Sequence, residues 1–191
     1  MSILRRRPKL PAALRPDLET DERILAWAVV APAARSAASG SSGGSAGGSA
    51  DRVVVATNRG LWLPDRGRLG WHEIHKAAWS GRELRITPAE VAQQRDSYAV
   101  LVDAPVVSYL LLDPAELPDQ VRTRVTRSVA YTTHYPLPVG GVRVVGRRVS
   151  GVDGLSWAVR YDSGTPVGQD QVIRLTGELV GAAQDATAPP A

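Results

Sequence analysis

His72, Glu73 and His75 lie within four residues, in the segment His-Glu-Ile-His, and together carry two imidazoles and a carboxylate. Those groups could ligate a metal or exchange protons with a substrate. Metal ligation requires the donors to converge at about 2 Å. On a regular strand, side chains three apart point to opposite faces, so His72 and His75 diverge; on a helix they approach one another. Trp71, Ile74 and Ala78 also fit a helical period, so periodicity alone leaves both conformations open. The β-prone runs on either side favour a strand, with a bulge or short turn turning both Trp71 and Ile74 inward. On that reading His72, Glu73 and His75 are wall and rim residues of a sheet, with His72 and Glu73 sharing an exposed edge as an open alternative. A metal-dependent enzyme using the three is the lesser reading, and no cofactor is expected.

Gly40–Gly44 matches the Gly-x-Ser-x-Gly pattern of serine hydrolases. That elbow needs a buried strand before the serine and a helix after it, and neither flank is present. With three histidines in the chain, few bases are available for a triad. The third, His134, is expected at the C-terminal end of a helix, in contact with the helix dipole.

Two of the 23 basic residues are lysines, Lys9 and Lys76, and the rest are arginines. The net charge of +4 is mild because 19 acidic residues are interleaved with them, and a nucleic-acid ligand is not expected. Trp62, Trp71, Trp79 and Trp157 could stack on bases, but a chain with no phenylalanine needs its tryptophans in the core. Trp27 and Trp62 are read as structural. Arg143 and the Gly146–Arg148 run form a basic strip, read as solvated arginines on an exposed strand. The densest positive charge is Arg5, Arg6, Arg7 and Lys9. Beside an anionic lipid surface each would contribute about 1 kcal/mol, decaying within a Debye length. The absence of cysteine excludes disulfides and thiolate chemistry and fits a reducing cytoplasm.

The elements that would position these residues follow from patterning. Residues 1–20 are basic and proline-broken, and are expected to be a disordered arm without the apolar stretch of a secretory signal. Ile24–Val30 is a first strand, and the surrounding apolar run is too short to span a membrane. Residues 34–51 are a flexible Gly/Ser loop. Val53–Thr57 and Gly60–Leu63 form a hairpin around Asn58 and Gly60. Short strands continue through "RLGWHEIHKAAW", "ELRIT", "DSYAVLVD" and "VVSYLLLD". Val121, Val125 and Val129 then make a helical stripe flanked by Arg122, Arg124 and Arg127. Asp113 and Glu116 have capping-box spacing, although Pro118 favours a start nearer to itself. A hairpin with an Asp153-Gly154 turn and an amphipathic helix over 170–183, carrying Val172, Leu175 and Leu179, complete the chain before a disordered tail at 184–191.

The order of these elements, with Thr57, Arg59 and Leu61 in a T-x-R-x-L hairpin and Trp71 and Ile74 in the strand beyond it, resembles bacterial pleckstrin-homology-like and GRAM-like domains. The resemblance covers residues 22–133. It implies a mainly β (α+β) fold: a small curved β-barrel or sandwich over 21–136, capped by the valine-striped helix. The hairpin and helix at 137–183 depart from that pattern and are read as an appended subdomain or a packing lid. The resemblance implies binding rather than catalysis, and transfers no catalytic residue. In lipid-binding members the first loop is basic, whereas here it is the Gly/Ser stretch with Arg35 and Arg52 at its ends, which argues against phosphoinositide binding.

The expected function is a non-enzymatic binding or scaffold module presenting a sheet edge or barrel rim to a protein partner. The alternative is peripheral binding to anionic lipid through Arg5, Arg6, Arg7 and Lys9, at the inner face of the membrane. An exposed edge strand would support a homodimer.

Overall fold

The computed structural model describes residues 9–32 and 52–188. The Gly/Ser loop and the basic residues Arg5, Arg6 and Arg7 lie outside the described residues; Lys9 is described and exposed. Four strands form an antiparallel meander: β1 (Ile24–Val30), β2 (Val53–Thr57), β3 (Gly60–Leu63) and β4 (Gly67–Gly70). Period-two alternation turns Ala26, Ala28 and Val30 inward, as expected for a strand with one face on a core. Gly60 is required by close approach, since a Cβ there would lie 2.5 Å from the Leu69 carbonyl oxygen.

A 3₁₀ turn over Trp71–Glu73 leads into β5 (Ile74–Ser80), followed by β6 (Glu83–Gln94), β7 (Ala99–Asp103) and β8 (Val107–Leu112). The short turn lets residues three apart share one side: Trp71 is 3% exposed and Ile74 is 0% exposed. After β8 the chain passes Asp113 and Ala115, both at positive φ (45° and 43°), and enters helix α1 (Leu117–Ser128). Glu116 precedes the first turn without a side-chain cap, and Pro118 occupies that turn, where a missing N–H costs nothing. Beyond it lie β9 (Val129–Pro136), β10 (Gly141–Arg147), β11 (Ser156–Tyr161) and helix α2 (Asp170–Thr187).

The fold is mainly β, with one large mixed sheet and two helices. Its strand order is β4-β3-β2-β1-β8-β6-β7-β11-β10-β9, with β5 on β6, and the path does not close into a barrel. All pairings are antiparallel except β7 with β11. The long strand β6 is shared. Residues Glu83–Ile86 pair with β8, while Ala89–Gln94 pair with β7 across a register shift between Val91 and Gln93.

Two hydrophobic cores result. The first contains Leu61, Trp71, Ile74, Leu84, Ile86 and Leu111, covered by Leu117 and Val121 of α1. The second gathers Tyr98, Val100, Val142, Val144 and Val159 beneath Val180 and Ala183 of α2.

Two expectations about the helical region change. The valine stripe ends early, because α1 stops at Ser128 and Val129 opens β9. His134 therefore lies on a strand rather than at a helix end, with its Nε2 2.8 Å from Asp162 Oδ2. The β-branched and aromatic residues of "VAYTTHY" suit a pleated ladder, and β10 supplies a partner along the whole of β9. The division expected between residues 136 and 137 falls within this β9–β10 hairpin, so the hairpin and α2 share a core with β7 and β9.

Candidate ligand-binding site

A trough of about 830 Å3 lies between the C-terminal end of α1, the start of β9 and the loop joining β10 to β11. The sequence builds its walls locally. Arg124 and Arg127 project from the last turns of α1, where basic side chains complement the helix dipole. The Arg148 backbone N–H donates to the Ser128 carbonyl at 2.7 Å, and its Nη1 donates to the Arg127 carbonyl at 3.2 Å. The loop wall is held by the Ser150 hydroxyl, which donates to the Asn58 carbonyl at 3.2 Å. Gly151 and Gly154 turn that loop at φ 82° and 84°, so the expected Asp153-Gly154 turn is present. A Cβ at Gly151 would meet Arg59 Nη1 at 3.1 Å.

Electrostatics distinguishes this trough. Arg124, Arg127 and Arg148 all line it, and none forms an ion pair among the described residues. The Arg124 Nε is buried and has no hydrogen-bond partner among the described residues. Burial, reinforced by the like charges of Arg127 and Arg23, lowers the Arg124 pKa. Asp153 is the one acidic residue in the lining among the described residues. Apolar surface comes from Trp71, Val149, Val152 and Leu155. Ala130 carries the lining onto β9, which ends the strand path and has one edge unpaired among the described residues. The trough can hold an anion, and an extended backbone can continue from it along a strand edge.

Most other arginines near the first core are already paired. Glu22, with its side chain sealed from solvent, accepts bonds from Thr57 Oγ1 (2.6 Å), Trp62 Nε1 (2.9 Å), Arg68 Nη1 (2.8 Å) and the Glu19 N–H (3.3 Å). Burial raises its pKa, but these donors outweigh that effect and the net shift is downward. Arg59 is held by Asp21 and Glu19. Thr57 and Arg59 of the T-x-R-x-L hairpin thus fasten the segment Glu19–Glu22 to the β2–β3 turn. They are structural ties.

The structure sets His75 apart from the other two donors of the His-Glu-Ile-His segment. His72 and Glu73 lie in the 3₁₀ turn, where Glu73 Oε2 accepts the Gly70 N–H at 2.6 Å. His75 lies on β5, and its Nδ1 donates to Asp103 Oδ1 at 2.7 Å. That oxygen also accepts from Arg160 Nη2 at 2.8 Å. The His75 Nε2 is buried without a partner among the described residues. Burial lowers both histidine pKa values. Glu73 opposes the shift at His72, and the hydrogen bond to Asp103 opposes it at His75. Among the described residues, no group of three or more histidine, aspartate or glutamate side chains is placed to hold a metal ion.

The chain matches no family model, no curated protein and no solved structure. No helix among the described residues is long and apolar enough to cross a membrane.

The basic strip read from sequence divides into three environments. Arg143 is exposed, Arg148 lines the trough, and Arg147 is half-buried rather than solvated. Arg124, Arg127 and Arg148 were visible in the sequence as separate basic residues. Their shared place in one trough lining depends on the β9–β10 pairing, for which the sequence carries no charge signal.

Proposed function

We propose that this chain is a non-enzymatic binding module that holds an acidic segment of a protein partner in the Arg124–Arg127–Arg148 trough. The observation carrying this reading is that three arginines without carboxylate partners among the described residues line one trough. Guanidinium groups suit carboxylate and phosphate ligands because their donors match paired oxygens. Mixed apolar and basic walls, leading to the free edge of β9, fit a peptide with alternating acidic and apolar side chains that could extend the sheet. The stretch over residues 22–133 is read as pleckstrin-homology-like. Its support is the T-x-R-x-L hairpin and the burial of Leu117 and Val121 of α1 against the sheet.

The test is fluorescence anisotropy of a labelled peptide alternating glutamate and leucine, titrated with the full chain at low and high salt. Saturable, salt-weakened binding is expected, with at least a tenfold loss in the Arg124→Gln/Arg148→Gln variant. Binding that the variant retains unchanged would remove the trough from the proposal. Vesicles with and without anionic lipid form a parallel arm. Attachment to anionic vesicles without peptide binding would favour the membrane-surface reading.

A further inference from the structure

We propose that a second cleft, where the two halves of the sheet meet along β6, binds a small organic carboxylate with an apolar body, anchored by Arg147. The cleft has a volume of about 220 Å3 and lies apart from the trough, with different lining residues. Ala89, Ala99, Leu101 and Ala158 supply apolar walls, while Arg147, Ser156, His72 and Gln94 supply polar groups.

Arg147 is the feature that calls for an anion. Its Nη1 donates to the Ile74 carbonyl at 3.0 Å, to Ser128 Oγ at 3.1 Å and more weakly to the Trp71 carbonyl at 3.5 Å. All three acceptors are neutral, and Arg147 forms no ion pair among the described residues. Taking a cation out of water without a counter-charge is costly. Burial, together with the like charge of Arg160, lowers its pKa, consistent with an uncompensated cation. The three bonds at Nη1 fix the guanidinium plane. Nε and Nη2 have no partner among the described residues, yet neither is closed off by protein. These two nitrogens form the side-on fork that matches both oxygens of a carboxylate.

The walls and volume set the rest of the ligand. Drug-sized ligands occupy about 300–1,000 Å3, so this cleft suits something smaller. Its apolar lining favours a compact hydrocarbon body over a bare inorganic anion. The Glu73 carboxylate, also in the lining, is engaged by the Gly70 N–H.

The experiment is a heteronuclear NMR titration of the full chain with benzoate, its neutral counterpart benzamide, and inorganic phosphate. Benzoate is expected to give saturable shifts at the Ala89, Ala99 and Ala158 amides, with benzamide at least tenfold weaker and phosphate weaker than benzoate. Arg147→Gln should weaken benzoate at least tenfold. Because that variant also loses the bonds to Ile74 and Ser128, Ala99→Leu provides a second route: it fills the cleft, leaves those bonds in place, and should abolish the shifts with a folded spectrum. The Arg124→Gln/Arg148→Gln variant should bind benzoate normally. No saturable shift with benzoate, equal binding of benzamide or phosphate, or undiminished benzoate binding by Ala99→Leu would overturn the proposal.

Discussion

Glu22 is a buried carboxylate whose charged form is favoured by the donors from Glu19, Thr57, Trp62 and Arg68. Removing it leaves the Thr57 hydroxyl and the Trp62 indole N–H without that acceptor, and takes from Arg68 one of two carboxylates. Glu22→Ala should therefore destabilise the fold by about 2–4 kcal/mol in urea unfolding. Because its folded pKa is depressed, Glu22 contributes stability above the ordinary value of 4.5 and loses it as pH falls through the folded value. The two histidines act in a higher window. Both have folded pKa values below the ordinary 6.5, so the unfolded chain takes up protons first as pH falls. Their contribution is complete above that value and declines as pH falls toward the folded values. Thermal melts should show the midpoint dropping from pH 7 to pH 5, with a flatter profile for His72→Gln/His75→Gln. An equal slope in that variant would assign the pH dependence to other groups.

At the scale of elements, α1 shows how a helix can be read correctly and ended wrongly. Leu117 and Val121 are buried against the first core, and Leu117→Ala should cost about 2–5 kcal/mol. Arg122, on the exposed side, should tolerate alanine within about 0.5 kcal/mol. Val129 continued the helical period in sequence, but its β-branched side chain fits a strand equally well. The partner strand β10 lies beyond a proline-containing turn, and a local pattern carries no information about it. The 3₁₀ turn at Trp71–Glu73 was legible because two large apolar residues three apart had to share one core. Gly60→Val should destabilise the β2–β3–β4 meander by about 1–3 kcal/mol, since its side chain would enter the space of the Leu69 carbonyl.

At the scale of the molecule, β6 joins the two cores. Its first half completes the sheet with β5 and β8, and its second half starts the sheet with β7. The chain also alternates between the halves, since β8 and α1 return to the first core after β7 has entered the second. The two cores should thus unfold as one unit. Tryptophan fluorescence and far-ultraviolet circular dichroism should give coincident urea transitions, and two separated transitions would show that the halves are independent.

Short-range pattern was enough for the β-rich character, the two amphipathic helices and the β2–β3 hairpin, and it left a bulge or a short turn as the way for Trp71 and Ile74 to share one side. Each of these depends on residues within a few positions of one another, where alternation, helical period and turn chemistry operate. Only the assembled fold settled that the sheet stays open, that β9 belongs with β10, and that Arg148 joins Arg124 and Arg127 in the lining of one trough. It also decided that Arg147 points inward to a cleft while Arg143 remains in solvent. Those outcomes depend on which strands pair and in what register. Register moves a charged side chain between solvent and interior by a single residue, and distant pairing partners select it through the apolar surface they bury together.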